Sequence, residues 1–243
     1  SPLFSKEVKT VPGTVAGIIK VHKKFGSLPL EDIFAPVIAL AENGIVVTEN
    51  QANRFKTYKE QILEANDSIT TFPIESKAND TLKYPVLANT LRRIVKKGRD
   101  GFYKGETAKI LVDFIQEKGG FITEEDLGKY EAKWRQPIVF NYKDLKLISM
   151  SPPSSGGVTL RQIFKMMEPY DMAKFGHNSE KTIQLFTEAA RRAYADRNYY
   201  LGDPDFVQIP LDVILSDAYL KKRMENFSFE KATKSSSVMK PPF

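Results

Sequence analysis

The sequence of 243 residues contains no cysteine. This absence excludes disulfide bonds, thiolate nucleophiles and cysteine-based zinc sites. The chain also lacks a run of about 18 apolar residues, the length that a membrane-spanning helix needs. Its first residues, from Ser1 to Lys6, do not show the charged and then apolar pattern of a signal peptide. We therefore expect no membrane insertion and, because the chain starts without Met, a processed or truncated product.

Histidine is nearly as scarce as cysteine. The sequence has 2 histidines, His22 and His177, and neither lies in a recognisable catalytic motif. A serine–histidine pair would have to be assembled across the fold from Ser154 or Ser155 and one of these histidines. No grouping of Asp, Glu and His has the spacing of a metal site. The residues alone therefore predict no catalytic group, no metal and no cofactor in this chain.

A large excess of one charge is also missing. Lys and Arg number 36 and Asp and Glu number 30, which gives a formal net charge of +6. The basic residues are spread over separate predicted helices beside acidic residues, and aromatic residues do not alternate with them as base stacking on a nucleic acid would require. This distribution is typical of solvated polar faces, and we expect no nucleic-acid partner.

Helical periodicity is the dominant pattern that the sequence does contain. In the stretch from Ser179 to Phe206, apolar or small residues recur every three or four positions and predict a long amphipathic helix. These residues are Ile183, Phe186, Ala189, Ala190, Ala193, Tyr194 and Tyr200 or Leu201. Gly202 is expected to end the helix in a left-handed conformation, and Pro204 prevents its continuation. We interpret this helix as the central packing element.

Three charged residues on that helix, Glu188, Arg192 and Asp196, follow one another at intervals of four and share one stripe. They can form ion pairs along the helix, or they can belong to a catalytic site. We favour the structural interpretation, because ion-pair networks perturb carboxylates as readily as active sites do.

Other segments also have the helical period. Gly13 and Gly17, near the start of the first of them, each lower helix propensity by about 1 kcal/mol relative to Ala, so we expect another element to pack against the backbone there. We predict a loop or short extended pieces from Ser68 to Pro85 and a turn from Gly98 to Gly105. The first predicted helix begins within residues 11–17 and ends at Gly26. The other predicted helices cover Leu30–Asn43, Thr48–Asn66, Val86–Lys97, Glu106–Lys118, Thr123–Tyr130, a segment after Gly157, and Leu211–Asn226.

From Pro137 the apolar period changes to two. Ile138–Tyr142 and Leu145–Met150 alternate in character and predict a β-hairpin. A hairpin alone is unstable in water, and the sequence offers no other convincing strand for its sheet. The predicted fold class is therefore mainly α with a β-hairpin (α+β). We expect one helical segment over residues 1–227, with the hairpin at 137–150, and a flexible tail over 228–243.

The turn Ser151–Gly157 joins the hairpin to the next helix. A strand, a glycine-containing turn and a helix N-terminus together can hold an anion or an oxyanion. The spacing matches neither a phosphate loop nor a nucleophile elbow. We therefore interpret Ser154 and Ser155 first as helix caps. Ser154, Ser155, Gly156 and Gly157 are the candidate substrate-binding residues of this chain.

Several motifs, taken together and in order, resemble the middle of a gamma-glutamyltransferase (glutathione hydrolase) precursor. The resemblance covers nearly the whole chain. The motifs are Val11–Gly17, Ala41–Gly44, Gly101–Gly105, Asp126–Leu127, Trp134–Pro137, Pro152–Gly157 and Glu188–Phe206.

This resemblance implies a piece of an N-terminal-nucleophile hydrolase fold, a four-layer αββα sandwich. It also implies a precursor that cleaves itself into a large and a small subunit and so exposes a threonine nucleophile at a new N-terminus. That threonine would attack the γ-glutamyl amide, with its own α-amine as the base. The implied partners of this chain are the rest of the large subunit, the small subunit and, in the full enzyme, a γ-glutamyl substrate.

The chain departs from the family pattern at both ends. The family's donor-binding arginine belongs to a segment upstream of Ser1, and its threonine would follow shortly after Phe243, so no established catalytic position can be carried onto this chain. The resemblance also implies a periplasmic or secreted parent.

Three functional hypotheses remain open from the sequence. The first is the large-subunit segment of a gamma-glutamyltransferase, inactive alone. The second is a cephalosporin or glutaryl acylase, or a poly-γ-glutamate-processing enzyme, of the same superfamily. The third is a stand-alone helical binding module.

Overall fold

A computed structural model describes residues 10–66 and 73–239. The described residues form two compact units, the first ending at Lys133 and the second beginning at Trp134. The sequence analysis treated residues 1–227 as one helical segment that includes the hairpin, and it did not predict a boundary at residue 133.

The first unit is helical with one very short sheet. Thr48 and Thr123 each begin a helix with a capping box, as their spacing predicted, and satisfy N–H groups that have no partner inside the helix. Its elements are α1 (Thr14–Phe25), α2 (Leu30–Asn43), β1 (Ile45–Val46), α3 (Glu49–Ala65), β2 (Thr81–Leu82), α4 (Pro85–Lys97), α5 (Asp100–Tyr103), α6 (Gly105–Glu117) and α7 (Glu124–Lys129).

Strands β1 and β2 form an antiparallel pair. Strand β2 lies in the segment Ser68–Pro85, where a loop or short extended pieces were predicted, but neither β1 nor the pairing was predicted. Ile45 lies opposite Leu82 in the register of this pair. Two residues are too few to show a period of two, so the pattern gave no strand signal. Gly44, with φ of 101°, ends α2 and turns the chain into β1. This positive φ favours glycine.

Tyr103 organises the core of the first unit. Its hydroxyl donates to the carbonyl of Pro12 at 2.5 Å and accepts from the backbone N–H of Ala16 at 3.2 Å, so it fixes the start of α1. Tyr103 lies in α5, where the sequence predicted only a turn. Helix α5 packs closely on α4, because a Cβ at Gly101 would lie 2.1 Å from the carbonyl oxygen of Arg93.

The two glycines at the start of α1 have different environments. A Cβ at Gly13 would lie 2.3 Å from the hydroxyl of Tyr130, whereas a Cβ at Gly17 would meet no described residue within 4 Å. The expectation that another element packs against the backbone is therefore confirmed at Gly13, and within residues 10–66 and 73–239 nothing packs there at Gly17.

The second unit combines the hairpin with the longest helix. Its elements are β3 (Ile138–Tyr142), β4 (Leu145–Ser149), α8 (Gly156–Met167), α9 (Met172–Phe175), α10 (Glu180–Tyr200), α11 (Leu211–Ile214), α12 (Asp217–Arg223) and α13 (Ser235–Val238). The predicted hairpin is confirmed, with Phe140 opposite Leu147. Ile138 and Phe140 are buried on its inner face, and α8 packs there and along α10.

Helix α10 is the expected central helix, and it buries part of the predicted face: Ala189 and Ala193 lie in the core, whereas several large residues of that face do not. Ile183, Phe186 and Tyr194 are about half exposed, at 54%, 51% and 55%. The buried residues are Leu185, Glu188, Ala189, Arg192, Ala193, Ala195 and Asp196. The charged stripe therefore faces inwards, because residues far along the chain supply its partners.

The end of α10 also differs from the prediction. The helix ends because Leu201 is extended, with φ of −89° and ψ of 136°, and Gly202 does not have a positive φ. A Cβ at position 202 would lie 2.9 Å from Cγ2 of Val207, an exposed side chain that would have to shift. The single helix predicted over Leu211–Asn226 is two helices, α11 and α12, and the hydroxyl of Ser216 caps the second by accepting from the N–H of Tyr219 at 3.2 Å.

The described part of the predicted flexible tail, residues 228–239, is packed onto the second unit. Val238 is buried, and Phe229 contacts the core of this unit. The carbonyl of Ser228 accepts from the side chain of Gln184 at 3.0 Å. The composition predicted mobility because it could not reveal these long-range partners. The last residues of the predicted tail, 240–243, lie outside the described residues.

Candidate functional site

The turn Ser151–Gly157 brings the start of α8 back to the end of β4. The peptide bond between Pro152 and Pro153 is cis, and the N–H of Ser154 donates to the carbonyl of Ser151 at 3.1 Å. The N–H of Gly157 donates to the carbonyl of Met150 at 3.0 Å. The four candidate residues from Ser154 to Gly157 therefore lie together at the junction of hairpin and helix.

The two glycines in this turn have different roles. A Cβ at Gly157 would lie 2.2 Å from the carbonyl oxygen of Met150 and 2.9 Å from Cβ of Ile138, so only glycine fits between the strands and the helix. A Cβ at Gly156 would meet only the hydroxyl of Ser154, at 3.5 Å. The N–H of Gly156 donates to that hydroxyl at 3.3 Å. Because the first two N–H groups of α8 have protein partners, fewer donors face a ligand than the sequence suggested.

Ser155 is the N-cap residue of α8, but its side chain does not cap the helix. Its hydroxyl accepts instead from Nε of Arg197 at 3.0 Å. Sequence reasoning missed Arg197, which lies 42 residues along the chain, on α10. Its guanidinium lies 5.9 Å from the centre of the Tyr194 ring and also donates to the side chain of Asn198 at 2.9 Å. The turn therefore carries a positive charge beside its two serines.

A second group of polar residues lies inside the unit. We call Glu188, Arg192, Asp196, Arg223 and Gln162 the buried charge cluster; each is at most 6% exposed. Arg192 pairs with Glu188 and donates to the carbonyl of Arg223 at 2.7 Å. Arg192 is therefore bonded on several sides, as a buried guanidinium must be.

Asp196 does not pair with Arg192, although the sequence predicted ion pairing along the helix. It pairs with Arg223 of α12, with 3.1 Å between Nη2 and Oδ1, and accepts from Nε2 of Gln162 at 3.0 Å. The cluster thus links α8, α10 and α12, in addition to the pair of Glu188 and Arg192 on successive turns of α10. Its charges have protein partners, which supports the structural interpretation over the catalytic one.

The two carboxylates of the buried charge cluster have opposite pKa shifts. Burial raises the pKa of Asp196, against the opposing effects of Arg223, Tyr219 and Gln162. Burial also acts to raise the pKa of Glu188, but hydrogen bonds from Arg192 and Thr233 and the charges of Arg192 and Arg191 lower it overall. The charged form is therefore favoured at Glu188 and disfavoured at Asp196.

We expect Glu188→Gln to destabilise the protein at pH 7 and to make little difference at low pH. Because the folded-state pKa of Glu188 is lowered, its stabilisation is present above the ordinary value of 4.5 and is lost as the pH falls through the folded-state pKa. The measurement is urea unfolding of both proteins between pH 7 and pH 3. Asp196→Asn is the control: because the folded-state pKa of Asp196 is raised, we expect the cost of this substitution not to fall as the pH is lowered. A Glu188→Gln effect that grows on acidification would contradict this assignment.

The family model described as Gamma-glutamyltranspeptidase matches residues 1–242. The chain belongs to the gamma-glutamyltranspeptidase family. The chain spans about two fifths of the length of its proenzyme relatives. It covers 41% of the glutathione hydrolase proenzyme of Escherichia coli K12 and 40% of the acylase ACY 1 proenzyme of Pseudomonas sp. SE83.

The relatives of this chain include two kinds of proenzyme, glutathione hydrolases and acylases. It is 40% identical over 240 residues to the glutathione hydrolase proenzyme of Escherichia coli K12, which covers 97% of the chain. It is 31% identical over 226 residues to the acylase ACY 1 proenzyme of Pseudomonas sp. SE83, which covers 91% of the chain.

The fold agrees with the family. The crystal structure of Helicobacter pylori gamma-glutamyltranspeptidase matches with a TM-score of 0.90 at 39% identity, over 98% of this chain and 69% of that one. The cephalosporin acylase of Bacillus halodurans matches with a TM-score of 0.80 at 25% identity, over 90% of this chain and 42% of that one. The predicted fold class, mainly α with a β-hairpin and part of an N-terminal-nucleophile hydrolase fold, is confirmed.

Two other chemical candidates from the sequence, His22 and Ser155, have protein partners within the described part of the chain. Nε2 of His22 donates to the carbonyl of Leu28 at 2.8 Å, inside the first unit. The hydroxyl of Ser155 bonds to Arg197 rather than to a histidine. Among residues 10–66 and 73–239, no group of three or more His, Cys, Asp or Glu could hold a metal ion. Within the same ranges, the helices are too short or too polar to cross a membrane.

Proposed function

We propose that the protein to which this chain belongs is a gamma-glutamyltransferase that hydrolyses or transfers the γ-glutamyl group of glutathione and related compounds. The observation that carries this proposal is the 40% identity to a glutathione hydrolase proenzyme along 97% of the chain. The TM-score of 0.90 against a gamma-glutamyltranspeptidase supports it independently. A family match over residues 1–242 argues against a stand-alone helical binding module.

In this proposal the chain is scaffolding and supplies no catalytic group. The resemblance assigns the nucleophile to a threonine of the small subunit, outside this chain. The buried charge cluster supports a structural role, because Arg192 and Asp196 bond to protein groups. The partners are the rest of the large subunit and the small subunit.

The turn Ser154–Gly157 is proposed as part of the wall of the donor pocket. Three of its residues are partly exposed, and Arg197 places a positive charge beside Ser155. A γ-glutamyl group carries a free α-carboxylate, and a guanidinium next to hydroxyl groups is suited to such an anion. The internal bonds of Gly156 and Gly157 limit the turn to a supporting contact.

The competing function is that of an acylase, because acylase proenzymes are also relatives at 31% identity. The two functions differ in the donor. A γ-glutamyl donor carries an α-amine and an α-carboxylate, whereas a glutaryl donor lacks the amine.

The test is a donor comparison with the full-length protein. We expect self-cleavage into two polypeptides and a higher kcat/KM for γ-glutamyl-p-nitroanilide than for glutaryl-7-aminocephalosporanic acid. The reverse order of kcat/KM would replace the transferase proposal with the acylase one. An uncleaved protein without turnover of either donor would contradict both.

A further inference from the structure

The C-terminal segment, which we define as residues 228–239, is held by arginine side chains of two helices. Arg191 of α10 donates to the carbonyl of Thr233 at 3.0 Å and to the hydroxyl of Ser235 at 3.1 Å. Arg223 of α12 donates to the carbonyl of Val238 at 3.1 Å. These bonds fix the backbone of the segment at two points, five residues apart.

The same arginines belong to, or contact, the buried charge cluster. Arg191 pairs with Glu188, which also pairs with Arg192. Arg192 donates to the hydroxyl of Thr233 at 3.3 Å, and Arg223 donates to the carbonyl of Arg192 at 2.9 Å. Glu188 therefore sits between two arginines that both contact Thr233, so the position of the segment is coupled to the cluster.

Burial of the segment does not require these hydrogen bonds from arginine. Val238 and Phe229 already supply apolar contacts with the core. Hydrogen bonds to backbone carbonyls add direction, because each fixes the orientation of a peptide group as well as its position. A segment of Lys and Ser residues has little tendency to order by itself. The arginines therefore fix the position and the orientation of residues 228–239 on the second unit.

We propose that Arg191, Arg192 and Arg223 are positioning residues for self-cleavage of the precursor. This inference rests on the proposed function, in which a peptide bond downstream of this chain is cleaved. In that reaction water adds across one C–N bond, leaving a carboxylate on one product and the α-amine of the new N-terminal threonine on the other. The arginines touch none of the reacting atoms. They hold the C-terminal segment so that the following polypeptide reaches the cleavage site in a reactive geometry.

Arg191→Gln in the full-length precursor tests this proposal. Arg191 is 29% exposed, so its replacement leaves the buried pair of Arg192 and Glu188 in place. We expect processing of the purified precursor to slow by about tenfold or more, because small displacements of a reacting group have effects of this size. The activity per mole of already cleaved enzyme should stay at the wild-type value. Arg191→Lys, which keeps the charge, should restore part of the rate.

Arg93→Gln is the matched control. Arg93 is 23% exposed, pairs with Glu106 at 2.8 Å and donates to the hydroxyl of Thr107, all within the first unit. We expect this variant to lose a similar amount of thermal stability and to be processed within about twofold of the wild-type rate. Equal slowing of both variants would assign Arg191 a structural role only and overturn the proposal.

A milder variant covers the case in which Arg191→Gln fails to fold. Ser235→Ala removes one exposed hydroxyl that accepts from Arg191, and we expect processing about threefold slower. A wild-type rate in Ser235→Ala, together with a wild-type rate in Arg191→Gln wherever that variant folds, would overturn the inference while leaving the proposed function intact. A wild-type precursor that never cleaves itself would instead refute the proposed function, and the inference with it.

Discussion

Arg192→Met is expected to lower the free energy of unfolding by about 3 kcal/mol, the lower end of the range for breaking a buried ion pair. Arg192 is 1% exposed. Glu188 keeps Arg191 as a partner, which limits the loss. In the variant, the carbonyl of Arg223 and the side chain of Asn226 lose the hydrogen-bond donor that Arg192 supplies. The measurement is urea unfolding followed by the fluorescence of Trp134, the single tryptophan of the chain.

The control for this prediction is Lys104→Met. Lys104 also pairs with a carboxylate four residues away, that of Asp100, but both side chains are at least half exposed. Exposed pairs contribute little, because water and salt screen them. We expect the unfolding midpoint of this variant to match the wild type. If Arg192→Met also left the midpoint unchanged, the buried charge cluster would not stabilise the fold.

Gly157→Ala is expected to destabilise the protein by about 3 kcal/mol, as overpacking of a rigid site does. The added methyl would lie 2.2 Å from the carbonyl oxygen of Met150. It would also press on Ile138, and neither neighbour is the end of a flexible side chain. The helix start and the hairpin would have to separate, which breaks the bond from the N–H of Gly157 to Met150. Thermal or urea unfolding measures the effect.

Gly156→Ala provides the matched comparison one residue earlier. The new methyl would meet only the hydroxyl of Ser154, at 3.5 Å, which is an ordinary contact. Gly156 is the first residue of α8, and Ala has the higher helix propensity, by up to about 1 kcal/mol. We expect unchanged or slightly increased stability. Similar losses from the two substitutions would show that the close approach at Gly157 is not what requires glycine.

Local signals in the sequence predicted local structure well. The capping residues Thr48 and Thr123 begin helices because their partners, Gln51 and Asp126, lie three residues away. The hairpin forms at the predicted strands, because its period of two and its short turn leave few alternatives. Long-range pairing could not be predicted in the same way. Strand β1 finds β2 more than thirty residues later, and two residues carry no periodicity.

The candidate site was only partly predictable for the same reason. The turn Ser151–Gly157 was identified from its composition, but the partner of Ser155 is Arg197, 42 residues away. Glu188, Arg192 and Asp196 were identified by their spacing. Their burial depends on α12 and the C-terminal segment. For these two elements the sequence predicted a single helix over Leu211–Asn226 and a flexible tail. The apolar pattern of α10 does not predict burial of its charged residues, because that burial requires partners from distant parts of the chain.

The central claim is that this chain is scaffolding for chemistry performed by groups outside it. The most direct test is the release of p-nitroaniline from γ-glutamyl-p-nitroanilide, measured at equal molar concentrations of the purified chain and the full-length protein. We expect the full-length protein to release p-nitroaniline, and we expect the chain alone to release none above the buffer rate. Turnover by the purified chain would contradict it, because a catalytic group would then have to lie among these 243 residues.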